Sequence, residues 1–199
     1  MDTQWPRFEV FKQDTPEQPY QNIGTVHAPD AEIALLNARD VYGRRPNCHS
    51  LWVAPEKAIL KVTAEELANP QMQQKLVEVQ AASGTEPTKT YKIFQKLSQK
   101  RSMTFVNHVG EVEAASGEQA LVKALQKFAE PEVWVWWVCP AGAITASEPG
   151  VEDSWFAPAI DKVYRQQSYY GKVKRKRLDE RLQIAEQLSQ EQSKTEVAQ

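Results

Sequence analysis

The side chains able to hold a metal or act as nucleophiles are few and scattered: His27, Cys48, His49, His108 and Cys139. A metal site needs such groups, with carboxylates, converging at defined spacings, and no cluster of that kind is legible. Helical di-iron sites use Glu-x-x-His pairs, yet the residues three places before the histidines are Gly24, Pro46 and Phe105. The sequence also lacks a phosphate-binding loop, a dinucleotide-binding glycine pattern and a nucleophile elbow. No catalytic residue, metal or cofactor site of a familiar kind is expected in this chain, and an enzyme of an unfamiliar kind stays open. His27, at the close of a strand, reads as an ordinary hydrogen-bonded histidine.

Residues suited to recognition are easier to find. Trp134, Trp136 and Trp137 form the densest aromatic cluster. Alternation along a strand puts Trp134 and Trp136 on one face and Trp137 on the other, so both faces need cover. Arg39, Asp40, Arg44 and Arg45 surround the end of a helix beside Tyr42. Cations there suit the helix dipole, and arginine next to tyrosine is also common chemistry for a protein interface. The basic run 172–177 reads as a solvated charge run, and nucleic acid is not an expected partner.

Composition agrees with this emphasis. A hydrophobic fraction of 41% and a charged fraction of 25% over 199 residues fit a globular chain of one ordinary or two small domains. The net charge of -2 supplies no long-range field for polyanions. The apolar stretch 133–138 falls far short of the roughly 20 residues that cross a bilayer, and residues 1–6 do not read as a secretory signal. Two cysteines cannot staple a chain of this length, so free thiols and a cytoplasmic location are expected.

The elements that must position these residues come twice. Trp52-Val53-Ala54-Pro55-Glu56-Lys57-Ala58-Ile59 is echoed by Trp137-Val138-Cys139-Pro140-Ala141-Gly142-Ala143-Ile144. Gly24 and Ala34 match Gly110 and Ala120 at one offset of 86, and Phe8 to Phe11 match Tyr91 to Phe94 at 83. In each copy two alternating segments read as a strand hairpin, with a glycine marking a bulge or a close backbone approach. Asp30 and Ser116 stand as N-caps. The helices that follow put Ala34, Ala38, Val41 and Tyr42, and Ala120, Leu121, Ala124, Leu125 and Phe128, on their packing faces. The Trp-Val motif supplies a third strand, ended by proline.

The fold class expected is α+β: a tandem duplication of a β-β-α-β unit whose copies pack as an internal pseudo-dimer, because one three-stranded unit leaves an open edge and a thin core. The expected divisions are a first unit at 1–62, a helical linker at 63–88 opened by the capping box Thr63-x-x-Glu66, a second unit at 89–171, and a charged helical tail at 172–199.

The segments Trp5-Pro6-Arg7-Phe8-Glu9-Val10-Phe11, Gly24-Thr25-Val26-His27-Ala28, the run Ala34 to Tyr42, Arg44-Arg45 and Ser50-Leu51-Trp52-Val53 resemble the B-subunit (PaaB) family of bacterial phenylacetyl-CoA epoxidase. The family's closing segment resembles Trp155-Phe156-Ala157-Pro158-Ala159, Lys162-Val163-Tyr164-Arg165 and Tyr169-Tyr170, here placed after the second copy. The resemblance implies a non-catalytic subunit that bridges a catalytic di-iron subunit and a structural subunit, with a reductase supplying electrons, in phenylacetate degradation. It implies partner-binding roles for Trp5, Arg39, Asp40, Tyr42, Arg44, Arg45, Trp155, Phe156, Tyr164, Arg165 and Tyr169. Since that family carries one copy per chain, the doubled chain is expected to stand in the place of two and to be a monomer when isolated. The competing reading is a free-standing α+β protein that binds or transforms a small molecule between its sheets.

Overall fold

Alternating apolar residues and shared turn chemistry make the two copies fold alike. The computed structural model describes residues 4–43, 48–81, 87–99 and 105–159. In the first copy, β1 (Arg7–Gln13) and β2 (Gln21–His27) form a hairpin, followed by α1 (Ala31–Tyr42) and β3 (Ser50–Pro55). In the second, β5 (Lys89–Lys96), β6 (Asn107–Ala114), α4 (Gly117–Lys127) and β7 (Val135–Pro140) repeat the plan. The expected caps form: Asp30 Oδ1 accepts from the Ile33 amide at 2.8 Å and Ser116 Oγ from the Gln119 amide at 3.2 Å.

Register repeats as well. Val10 faces Gly24 and Phe11 faces Asn22, leaving Ile23 as a bulge. Ile93 faces Gly110 and Phe94 faces His108, leaving Val109 in the same position. Both glycines have positive φ, 146° and 155°, and both make the close approach that the sequence suggests. A Cβ on Gly24 would lie 2.2 Å from the Tyr42 hydroxyl, and one on Gly110 would lie 2.6 Å from the Phe128 ring. The bare backbone thus leaves room for the tip of the aromatic ring at the end of each helix.

Each copy carries one more strand than the sequence indicates. After β3 and a 3-10 turn at Glu56–Ala58 comes β4 (Leu60–Thr63), and after β7 and a turn at Ala141–Ala143 comes β8 (Thr145–Ala146). These strands are exchanged: β4 pairs with β7 of the second copy and β8 pairs with β3 of the first. The result is one antiparallel sheet in the order β4-β7-β5-β6-β2-β1-β3-β8, joined at its centre where Gln21 faces Asn107. Backbone bonds from Asn22 to Val106 (2.9 Å) and from His108 to Tyr20 (2.8 Å) complete the seam.

Three apolar clusters follow. α1 covers one with Val10, Leu51 and Val53; α4 covers another with Ile93, Trp136 and Val138. The third lies on the opposite face and is shared by both copies: Phe11 stacks on Phe94 at 4.4 Å, Trp137 meets Phe11 edge-on at 6.2 Å, and Tyr20 stacks on Trp52. β1 and β5 are not neighbours in the sheet, so this contact means that the sheet curls to bring its halves face to face. The expected split of the tryptophans holds for Trp136 and Trp137, and the other copy supplies the cover for Trp137. Trp134 precedes β7 and is exposed.

Beyond β4, Thr63 and Glu66 form the expected capping box at the start of α2 (Ala64–Ala68), and α3 (Pro70–Ala81) follows. Leu67, Met72 and Leu76 pack against the second-half cluster. Beyond β8, the short α5 (Glu152–Trp155) brings Trp155 and Phe156 onto the first-half cluster. One expectation fails locally. Helical spacing assigns Val41 to the packing face, but it is 56% exposed, because it sits at the margin of that face in the last turn. The tail at 172–199 lies outside the described residues.

Candidate functional site

The groups that could do chemistry are held apart. His27 shares a hydrogen bond of 3.0 Å between Nδ1 and the Trp5 carbonyl, and the Asn37 amide donates to the His27 carbonyl. His49 Nδ1 lies 3.5 Å from the Glu152 carboxylate. His108 sits between Trp52 and Phe94, and burial with Lys92 nearby pushes its pKa down to about 4. Cys48 and Cys139 are buried free thiols, pushed up to about 12 chiefly by desolvation. Among the described residues no three metal-binding side chains converge, and no helix is long and apolar enough to cross a membrane.

The charged groups that are well engaged tie the two copies together. Glu9 on β1 has a side chain only 3% exposed, and Lys61 on the exchanged strand β4 reaches it at 2.7 Å. Asn22 donates to its other oxygen at 3.0 Å. Lys61 also bonds Glu56, whose carboxyl it holds below the usual range. The Lys61 ammonium lies over Trp137 at 4.6 Å, while Lys92 of the second copy lies over Trp52 of the first at 4.4 Å. Each lysine therefore covers the other copy's tryptophan. Sequence reading misses this network, and only the repeated tryptophan hints at it.

Four of the expected partner-binding residues come together on the first half. Arg39 donates from Nε and Nη2 to Asp40 Oδ1 at 2.9 and 2.8 Å, and its guanidinium lies 5.3 Å from the centre of the Trp155 ring. Trp155 meets Phe156 edge-on at 6.1 Å. The strand exchange makes this possible, since β8 delivers the end of the second copy to α1 of the first. Trp5 is 60% exposed near His27. Tyr42 and Phe156 are committed to packing: Tyr42 donates to the Thr25 carbonyl at 3.2 Å, and Phe156 is buried against Gly43. Arg44, Arg45, Tyr164, Arg165 and Tyr169 lie outside the described residues.

Two side chains absent from the sequence reading join this surface. Ile33 and Leu36, 37% and 38% exposed, lie on the outward face of α1 with Asp40. Spacings of three and four on one helix were the available signal. Val41 leads from that face into a cleft of about 450 Å³ bordered by Lys12, Asp14, Gln21, Ile23, Tyr42 and Phe105. An apolar stripe with acidic neighbours and an adjoining cleft suits contact with another molecule better than bond-making chemistry.

Comparison with known proteins identifies the family. A model of the family described as Phenylacetic acid degradation B (PaaB) matches residues 4–81 and 88–177. The chain is similar to the B subunit of 1,2-phenylacetyl-CoA epoxidase from Escherichia coli (strain K12), with 39% identity over 62 residues. That stretch is 31% of this chain and spans 65% of the relative's own length. No solved structure matches the chain. The two family matches fall on the two structural copies, and together they take in most of the sequence: the chain belongs to the PaaB family, in a tandem, strand-exchanged form.

Proposed function

We propose that this chain is a non-catalytic bridging subunit of a multicomponent di-iron oxygenase acting on phenylacetyl-CoA or a related aromatic acyl-CoA in phenylacetate degradation. Its partners are the catalytic di-iron subunit and the structural subunit of that cytoplasmic assembly, with the reductase as an electron donor, and the reactive iron resides in another polypeptide. The observation that carries the reading is the single sheet shared by both copies. Its concave side is filled by the Phe11–Phe94 stack and by Trp52 and Trp137, which favours a rigid scaffold over the alternative of a ligand chamber between sheets. The exchanged strands also support the view that one such chain takes the place of two single-copy subunits, and that it is a monomer alone.

Co-expression with the catalytic and structural subunits is expected to yield a complex that survives size-exclusion chromatography. With the reductase and NADPH, that complex is expected to consume phenylacetyl-CoA, while this chain alone binds no iron and turns over nothing. Tightly held iron and turnover by the chain alone would overturn the reading. A tight homodimer in sedimentation would overturn the monomer assignment.

A further inference from the structure

The duplication provides an internal control for every surface on the molecule. At an offset of 86, Glu32, Ile33, Leu36, Asp40 and Val41 on α1 correspond to Glu118, Gln119, Val122, Gln126 and Lys127 on α4. Two of the three apolar positions are therefore polar in the second half, and an acidic one is neutral. The acidic residue in the first turn is kept in both. In the second half that residue is satisfied: the amphipathic helix α3 lies beside α4, Lys75 pairs with Glu118, and Met72 and Leu76 pack against the cluster beneath. In the first half Glu32 has no ion-pair partner among the described residues, and Ile33 and Leu36 stay open to solvent.

We infer that the outward face of α1 docks one amphipathic helix of a partner subunit, with apolar side chains over Ile33 and Leu36 and a lysine or arginine at Glu32. The contact is a version between chains of what α3 does within the chain on α4. Charge fits this occupant. Glu32 at the start of the stripe has no ion-pair partner among the described residues, Arg39 and Asp40 satisfy each other so that no free cation opposes the partner's, and Asp153 adds negative charge on neighbouring α5. The cleft beyond Val41 offers a recess for a side chain at the end of the docked helix. At the corresponding place in the second half, Gln95 is buried and donates to the Phe128 carbonyl at 2.7 Å. The second half therefore offers no equivalent site, and each chain takes up one partner, although it contains two copies of the family unit. This inference rests on the bridging role proposed above.

The test uses the full-length chain and the purified catalytic–structural subunit pair of the oxygenase, with affinity measured by interferometry and stoichiometry by native mass spectrometry. One pair per chain is expected. Ile33→Glu with Leu36→Glu is expected to weaken binding at least tenfold with an unchanged melting temperature. Glu32→Lys is expected to weaken it several-fold and to flatten its dependence on salt. Should the double variant fail to fold, Glu32→Lys alone decides the matter, because this exposed side chain contributes nothing to the core. Gln119→Glu with Val122→Glu on α4 is expected to bind like the native chain. Two pairs per chain, native affinity in both α1 variants, or a homodimer that dissociates on Leu36→Glu would overturn the inference while leaving the bridging role intact. Failure of the native chain to bind the pair would sink the bridging role and this inference together.

Discussion

Laid over one another, the first and second halves agree in strand register, bulge and helix caps but differ in what covers their helices. The arm that leaves the first copy is long, and through β4, α2 and α3 it packs Leu67, Met72 and Leu76 against the second half. Among the described residues, the arm that leaves the second copy comprises two residues in β8 and four in α5, and it packs Trp155 and Phe156 against the first half. Identical subunits in a symmetric dimer must carry the same arms. Fusion into one chain removes that constraint, and among the described residues one helix is closed over while the other keeps Ile33 and Leu36 exposed.

The largest effect is expected where the halves are most alike. Phe11 and Phe94 occupy equivalent positions and stack on each other, so Phe11→Ala and Phe94→Ala are each expected to cost about 4 kcal/mol in chemical denaturation. The double variant should lose about 1 kcal/mol less than the two losses combined, because one stacking contact is counted in both. Full additivity, or two separate unfolding transitions, would mean that the halves do not share a core.

The lysine pair comes next and should separate the halves. Lys61→Met leaves Glu9 buried beside only Asn22 and the more distant Arg7 and is expected to cost about 3 kcal/mol. Lys92→Met frees Glu111, whose side chain is 47% exposed, and is expected to cost under about 1 kcal/mol. Equal losses would mean that the stacking of the lysines on Trp137 and Trp52 dominates rather than the buried carboxylate. The glycines should restore the likeness. Gly24→Ala and Gly110→Ala both place a methyl against an aromatic ring on positive-φ backbone, and each is expected to lose about 2 kcal/mol in thermal melts.

Much of this architecture can be read from residue order. Both glycines, the caps Asp30 and Ser116, the capping box at Thr63 and the outcomes for Trp136 and Trp137 follow from local spacing, and local spacing is what a sequence displays. The exchange of β4 and β8 is not legible because strands of four and two residues carry too little alternation, and their register is set by the other half. The meeting of Arg39 with Trp155 depends on that exchange and is therefore unreadable as a contact, although each residue stands out separately. Ile33 and Leu36 escape notice for a different reason. An apolar residue in a helix is ordinarily assigned to the core; Leu36 has an apolar counterpart in Val122, and only the polar counterpart of Ile33, Gln119, marks the first copy's outward face as unusual.

The smallest effect concerns the seam. His108 of β6 and Asn22 of β2 are equivalent at the offset of 86 and face opposite partners, Phe94 and Phe11. Asn22 is neutral at every pH and serves Glu9, whereas His108 is held down to about 4 by burial first and by Lys92 second, against the opposing pull of Glu111. Unfolding returns the imidazole to its ordinary value near 6.5, so between about pH 6.5 and 4 the unfolded chain binds the extra proton. Stability from this residue is therefore complete above pH 6.5 and is lost as the pH falls toward 4. The loss should be about 1 kcal/mol once the partial exposure of the ring is allowed for. His108→Asn gives the second half the first half's residue and should flatten the pH profile by that amount over that window, read as the difference in urea midpoint between the two proteins. An unchanged profile would mean that the carboxylates alone set the acid sensitivity and that the seam is electrostatically indifferent to which copy supplies its side chain.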